Sequence, residues 1–230
     1  MAAYDPIADW YAAQVHSGSL SAFLGHLASR LLEMAGDVSG KRVLDAGCGE
    51  GHLARLFARH GAEVVAVDIS PQMLHLARTF EEQDRLAIEY VEADLADGLP
   101  SHRRSFDLAI ANMVLEDCED HVGVLAGIAD ALEPGGRLLL SLNNPYAVAA
   151  RGKVDDYFRS GALAQTFGTE QVRYEVPFYY RSFEDLMTAF QQQGFLLRSL
   201  VDVRPNPSDP HLPDDPVPKI MLLELVRHAS

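Results

Sequence analysis

Residues 43–57, VLDAGCGEGHLARLF, run from a short apolar segment through glycines at 47, 49 and 51 into a helical pattern. A glycine loop between a strand and a helix lets backbone amides approach a ligand closely. The dinucleotide fingerprint GxGxxG, counted from Gly47 and Gly49, requires glycine at 52, where His52 stands, so the register is GxGxG. Asp45 comes just before the loop, at the end of the apolar run. Its carboxylate would oppose a pyrophosphate and favour a cofactor that carries an ammonium and a sulfonium, as S-adenosylmethionine does. Asp68 closes the run EVVAVD and Asp94 stands in VEADL, so three successive apolar runs each end in an acid. At the carboxyl edge of a parallel sheet, Asp68 is placed to accept both ribose hydroxyls, and Asp94 with the Leu95 amide to hold an adenine.

A second group of chemically capable residues follows the run FDLAIANMV: Glu116 and Asp117 in VLEDCEDH, then His121. An acidic pair there can receive a cationic acceptor, or one of its members can take a proton. Acids ahead of a helix also stabilise its N-terminus, and Asp120 reads as such a cap. With nine histidines in the chain, His121 and His16 are candidate bases set against ordinary surface or cap roles. Arg181 beside FYY is either a carboxylate binder or a solvated arginine, and Tyr146 and Tyr174 read as packing groups.

The elements that position these residues alternate. Leu20, Phe23, Leu24, Leu27 and Leu31 mark one face of a helix ended by Gly36. RVLDAG, EVVAVDIS, IEYVEADL, FDLAIANMV and RLLLSL read as strands, with helices predicted over 52–60, 71–82 and 121–132 and a turn at EPGG. Strands that are apolar throughout, alternating with helices, imply an α/β doubly wound sheet covered on both faces. Residues 144–185 depart from this pattern and hold nine of the eighteen Tyr and Phe residues, so they are expected to form a lid over the carboxyl edge. A helix over 184–193 and two strands, FLLRSLVDV and KIMLLELVRH, complete the chain as a hairpin across a connector holding six of the twelve prolines.

One domain of 230 residues is expected, with cap helices in 1–36, a cofactor core in 41–142, the lid in 144–185, and a terminal helix and hairpin in 186–230. Lys plus Arg number 19 against 33 acids, a net charge of −14 that disfavours nucleic acid and anionic membrane surfaces. No basic leader precedes an apolar run and no apolar stretch reaches about 20 residues, which reads as a cytoplasmic chain. Cys48 and Cys118 make neither a disulfide framework nor a metal spacing, so no metal is expected. The oligomeric state stays open, a dimer among the choices.

VLDAGCGEG, VVAVDIS, VEADL, FDLAIANMVLED and LEPGGRLLLSL, in that order over residues 41–142, resemble the class I S-adenosylmethionine-dependent methyltransferases, specifically their small-molecule branch. The resemblance implies a seven-stranded, mostly parallel Rossmann-like sheet with its last strand antiparallel. It implies that Asp45, Gly47 and Gly49, with Cys48 between the glycines, cradle the methionine part of the cofactor, and that Asp68 holds the ribose. It further implies that Ile69 and Met73 sandwich the adenine, that Asp94 and Leu95 hydrogen-bond it, and that Asn112 lines the methionine pocket. YDPIADWY resembles a helix that folds over the cofactor in this branch, with Tyr11 as its contact. Many members carry one or two histidines after the fourth strand, where this chain has Glu116 and Asp117.

The resulting expectation is methyl transfer to an oxygen or nitrogen of a small organic acceptor with an apolar portion. A sulfonium methyl is already electrophilic, so alignment and exclusion of water come before any dedicated catalytic residue. Methylation of a peptide or protein, and a binding protein without turnover, are the competing readings. A dinucleotide dehydrogenase is disfavoured by His52 and Asp45.

Overall fold

The computed structural model describes residues 2–102, 104–168, 173–204, 211–212 and 217–228. Seven strands form one sheet: β1 Arg42–Ala46, β2 Glu63–Asp68, β3 Glu89–Glu92, β4 Phe106–Asn112, β5 Leu132–Asn143, β8 Phe195–Asp202 and β9 Ile220–Arg227. Their order across the sheet is β3-β2-β1-β4-β5-β9-β8. The first five are mutually parallel, and β9 lies antiparallel between β5 and β8. This is the doubly wound sheet expected, with the antiparallel strand inserted one place in from the edge. The proline-rich connector that precedes β9 falls largely outside the described residues.

Alternate residues of each strand serve opposite faces, as the pleat requires. Val43, Val64, Ala66, Leu108, Ile110 and Leu139 pack on α2 (Ser21–Ala35) and α3 (His52–Arg59) through Leu27, Leu31, Leu53 and Phe57. Leu44, Val65, Val67, Ala109, Ala111 and Leu138 pack instead on α5 (His121–Ala131) and α7 (Phe183–Gln192) through Leu125, Ile128 and Phe190. The central strands β1, β2 and β4 are therefore apolar along most of their length because both faces are buried, which leaves polar side chains for the strand tips. α1 (Ala8–Ser17) follows a 3-10 turn at Asp5–Ile7, and α4 (Pro71–Asp84) is capped by Ser70, whose hydroxyl accepts from the Met73 amide. Among the described residues no helix is long and apolar enough to cross a membrane.

Two expectations change in form. The EPGG turn lies inside β5: the ladder with β4 jumps from Phe106↔Leu132 to Leu108↔Arg137, so residues 133–136 bulge out of a strand that continues on both sides. The described residues of the segment 144–185 carry regular elements. They hold a short helix, α6 (Pro145–Ala150), and an antiparallel pair of strands, β6 Gly161–Gly168 and β7 Arg173–Tyr180, separate from the main sheet.

Candidate active site

The loop after β1 is laced to β2, with the amides of Gly47 and Cys48 both donating to the Val67 carbonyl at 2.8 and 2.9 Å. Gly47 and Gly49 have φ of +75° and +54°, the left-handed region that favours glycine. A Cβ on Gly47 would stand 2.7 Å from both methyls of Val114, whereas one on Gly49 would meet nothing within 4 Å. Gly47 is thus required by packing, and Gly49 borders open space. The Gly49 amide donates to Asp68 Oδ2 and the Ser70 amide to Asp68 Oδ1, each at 2.8 Å. Asp68 therefore joins the glycine loop to the β2–α4 turn, and each oxygen keeps a lone pair for a ribose hydroxyl.

Asp45 is 1% exposed and accepts from the Ala54 amide in the first turn of α3, while its Oδ2 has no partner. Burial, reinforced by the charge of Asp68, pushes its carboxyl up to about 8. A buried carboxyl held above its ordinary range with an unpartnered oxygen is one that an incoming cation would restore to its ionised form. The residues present therefore fit a positively charged cofactor. Glu50, which sequence reasoning passed over, lies beside Asp45 in the loop; it is buried, and its Oε2 meets Arg55 at 2.7 Å and His16 Nε2 at 3.1 Å. Nothing in the local pattern announces this cluster, because His16 arrives from α1.

The residues expected to hold an adenine separate. Ile69 is 54% exposed, whereas Met73 is 2% exposed, so the open apolar surface belongs to Ile69. Asp94 is exposed and caps the following 3-10 turn through the Ala96 amide at 2.9 Å, and the Leu95 side chain is buried in the core. Asn112 Oδ1 accepts from Ser141 Oγ at 2.6 Å, and that hydroxyl accepts from the Met113 amide at 3.0 Å. Met113 takes φ of +58°, a strained conformation for a non-glycine residue at the tip of β4.

Beyond these tips lies a cavity of about 990 Å³. Tyr4, Trp10 and Tyr11 line it from the N-terminal segment, Met113, Glu116 and Asp117 from the β4–α5 loop, and Phe167 and Phe178 from the β6–β7 pair. Aromatic contacts close the N-terminal segment on that pair: Trp10 lies 6.0 Å from Phe167 and 6.3 Å from Tyr174, and Tyr4 and Tyr11 each lie 6.3 Å from Phe167. The Tyr4 hydroxyl donates to Asp117 Oδ2 at 2.9 Å. Burial pushes the Asp117 carboxyl well above its ordinary range and the neighbouring Glu116 adds to this, while the Tyr4 bond opposes it. Burial also raises the phenols of Tyr4 and Tyr11, and the charge of Asp117 raises both further.

Glu116 is buried, and burial pushes it up to about 7 against the opposing bonds from Asn143. Its Oε1 accepts from Asn143 Nδ2 at 3.0 Å, and its Oε2 has no partner. A second chamber of about 20 Å³, room for a single water, is also lined by Glu116, together with Asn143, Tyr180 and Arg181. Of the three candidate catalytic residues, the cavity brings together Glu116 and Asp117; among the described residues its lining does not include His121. His121 opens α5 half-buried, with burial and Arg181 lowering its pKa, and Asp120 caps that helix through the Gly123 amide at 2.8 Å, as its helix-end reading holds.

Arg181 corrects both of its sequence readings. It is neither solvated nor aimed at a ligand: buried, it donates to the carbonyls of Leu115 at 2.8 Å, Glu119 at 3.0 Å and Cys118, and so holds the β4–α5 loop in shape.

Residues 44–140 match the family described as "Methyltransferase domain". The chain is 35% identical over 108 residues to a ubiquinone biosynthesis O-methyltransferase of Xanthomonas oryzae pv. oryzae, an alignment covering 47% of this chain and 45% of that protein. The chain thus spans less than half the length of the curated relatives it matches. Among solved structures it resembles an S-adenosylmethionine-dependent methyltransferase from Mesorhizobium loti, with a TM-score of 0.67 and 26% identity over 86% of this chain and 96% of that one. It also shares the fold of a chain from Listeria monocytogenes described as a putative S-adenosylmethionine-dependent methyltransferase, with a TM-score of 0.71 and 21% identity over 88% and 97% of the two chains. The strand order, the acid-tipped GxGxG loop and these likenesses together support a methyltransferase domain of the class I S-adenosylmethionine-dependent type over residues 44–140.

Proposed function

We propose that the protein transfers a methyl group from S-adenosylmethionine to a hydroxyl oxygen of a small organic acceptor. The observation that carries this reading is Glu116: a buried carboxyl held near neutrality, with an unpartnered oxygen, in the wall of a cavity lined by aromatic side chains. A general base works best with a pKa near the operating pH. When bound, the cofactor supplies a methyl carbon activated by its sulfonium. Asp45 would meet its positive charge, Gly49 leaves it room, and Asp68 would hold the ribose.

The chain's own contribution is alignment, dryness and removal of one proton. Trp10, Tyr11 and Phe167 give the cavity an apolar wall that would limit water around an acceptor packed against it. Glu116 takes the proton of the acceptor hydroxyl on Oε2, and the one-water chamber on which it also borders offers that proton a way out. The names of the curated relatives favour oxygen over nitrogen. The closed contacts between the N-terminal segment and the β6–β7 pair favour a small acceptor over a peptide.

Calorimetry with S-adenosylhomocysteine, followed by a screen of labelled methyl donor against phenols, alcohols, amines and peptides, tests the proposal. The expected result is cofactor binding and label on oxygen of a hydroxylated small molecule. No binding of S-adenosylhomocysteine, or label confined to peptides or nitrogen, overturns it.

A further inference from the structure

Building on the methyltransferase reading, we propose that His16 is a positioning residue whose bond to Glu50 seats α1 on the glycine loop, so that cofactor residence and the wall of the acceptor cavity depend on one contact. By residue type His16 is a candidate base, but the lining of the large cavity does not include it among the described residues. Its Nε2 donates instead to Glu50 Oε2 at 3.1 Å. That carboxylate is 2% exposed and is fixed from inside: Arg55 Nη2 donates to the same oxygen at 2.7 Å, and Arg55 Nη1 to the Glu50 carbonyl at 2.6 Å. His16 reaches it from 34 residues earlier in the chain, with a side chain that is 39% exposed. One partner is thus held by the core and the other stands at the surface, so the contact can open without unpacking the core.

Both sides of this contact lead to the reaction. On the loop side Glu50 follows Gly49, whose amide donates to Asp68 at 2.8 Å, so a shift of Glu50 is passed to the acid proposed for the ribose. On the other side stands α1, ten residues long and so about 15 Å from end to end. The segment leading into it is tied to the loops after β2 and β4, where Asp5 Oδ1 accepts from Ser70 Oγ at 2.6 Å and the Tyr4 hydroxyl donates to Asp117. Trp10 and Tyr11, within the helix, face Phe167 and line the cavity. Burial raises the Tyr11 phenol and the charges of Asp117, Glu50 and Asp68 add to it, which puts this ring among the acids of both sites. His16 ties the last turn of the same helix. A hydrogen bond to a buried charge accounts for about tenfold to a hundredfold in an equilibrium, enough to govern whether α1 stays seated. The His16 ring also packs on Phe80 of α4, with centroids 4.2 Å apart, so the experiment has to separate the bond from the packing.

The test combines stopped-flow release of S-adenosylhomocysteine from the full chain with acrylamide quenching of Trp10, the single tryptophan of the chain. His16→Phe keeps a ring on Phe80 and removes the donor, whereas His16→Gln brings an amide NH2 within reach of Glu50. His16→Phe should release S-adenosylhomocysteine at least about tenfold faster than the unmodified chain and leave Trp10 more open to acrylamide when the ligand is saturating. His16→Gln should stay within about threefold of the unmodified chain in both measurements. If circular dichroism shows that His16→Phe does not fold, His16→Ala makes the same comparison. Unchanged release in the donor-less variant, faster release with unaltered Trp10 quenching, or a glutamine variant that behaves like the phenylalanine one overturns the proposal and leaves the methyltransferase reading standing. Calorimetry of the unmodified chain separates the two: no binding of S-adenosylhomocysteine removes the methyltransferase reading and this proposal with it.

Discussion

Replacing Glu116 by glutamine should raise stability above neutral pH and at the same time remove activity, a combination that damage to the fold does not produce. The carboxyl is raised from 4.5 to about 7, and burial is the main cause. Keeping it ionised in the folded chain therefore costs about 3 kcal/mol, at about 1.4 kcal/mol per pH unit. Between about pH 4.5 and 7 the folded chain retains a proton that the unfolded chain has released, so stability falls as pH rises through that window and the cost is complete above it. Glutamine preserves the volume and an acceptor for Asn143, but it puts an NH2 group where Oε2 has no partner, an offset of about 1–2 kcal/mol. The net gain at about pH 8.5 is about 1–2 kcal/mol, or about 2–8 °C in Tm for a chain of this size, and at about pH 5 there is no gain. Methyl transfer to a hydroxyl acceptor should fall by roughly 10²–10⁴, the contribution of a general base. The unmodified enzyme's kcat/KM should climb to a plateau above about pH 7 and the variant's should lose that step. Thermal melts at the two pH values and labelled methyl transfer from about pH 5.5 to 9 make the measurement. A variant that is destabilised at about pH 8.5, or that keeps activity within about threefold with an unchanged pH profile, refutes the assignment of Glu116.

Three further outcomes follow from the geometry. Asp68→Ala removes the acceptor of the Gly49 and Ser70 amides as well as the ribose contact, so S-adenosylhomocysteine affinity measured by calorimetry should drop at least about tenfold; unchanged affinity in a folded variant rules out the ribose role. Gly47→Ala drives a Cβ against Val114 at a left-handed position and should cost roughly 2–4 kcal/mol in urea unfolding, whereas Gly49→Ala, with open space around it, should cost about 1 kcal/mol and act chiefly on cofactor affinity. Arg181→Met leaves the carbonyls of Leu115, Cys118 and Glu119 without their donor, so stability should fall by roughly 3 kcal/mol in thermal melts and activity should fall with it, although Arg181 does not line the large cavity.

The glycine loop and the acids at the strand tips were legible because their determinants are local. Val43 to Ala46 form a strand buried on both faces, which puts Asp45 at its tip and confines the next three residues to a tight turn. A one-dimensional pattern suffices where strand, loop and helix are consecutive, and Asp68 and Asp94 follow by the same repeat. The acceptor end was legible only as composition: the aromatic segment stood out, but its folding as a strand pair against Tyr4, Tyr11 and Trp10 depends on contacts across more than a hundred residues of chain.

Charge type is written in the sequence, and charge environment is not. As letters, Glu116, Asp117 and His121 were candidates for proton transfer and Arg181 a carboxylate binder or a solvated arginine, and nothing in the local pattern decided among those roles. Tertiary packing separated them by deciding what each one faces: Arg181 turns inward to three carbonyls, His121 remains at a helix end, Asp117 takes the hydroxyl of Tyr4, and Glu116 is left buried beside the cavity with one oxygen unmatched. Desolvation and partner geometry, which determine whether an acid is inert or reactive, are properties of the surrounding atoms, and those atoms come from α1, β5, the β6–β7 pair and α7 together.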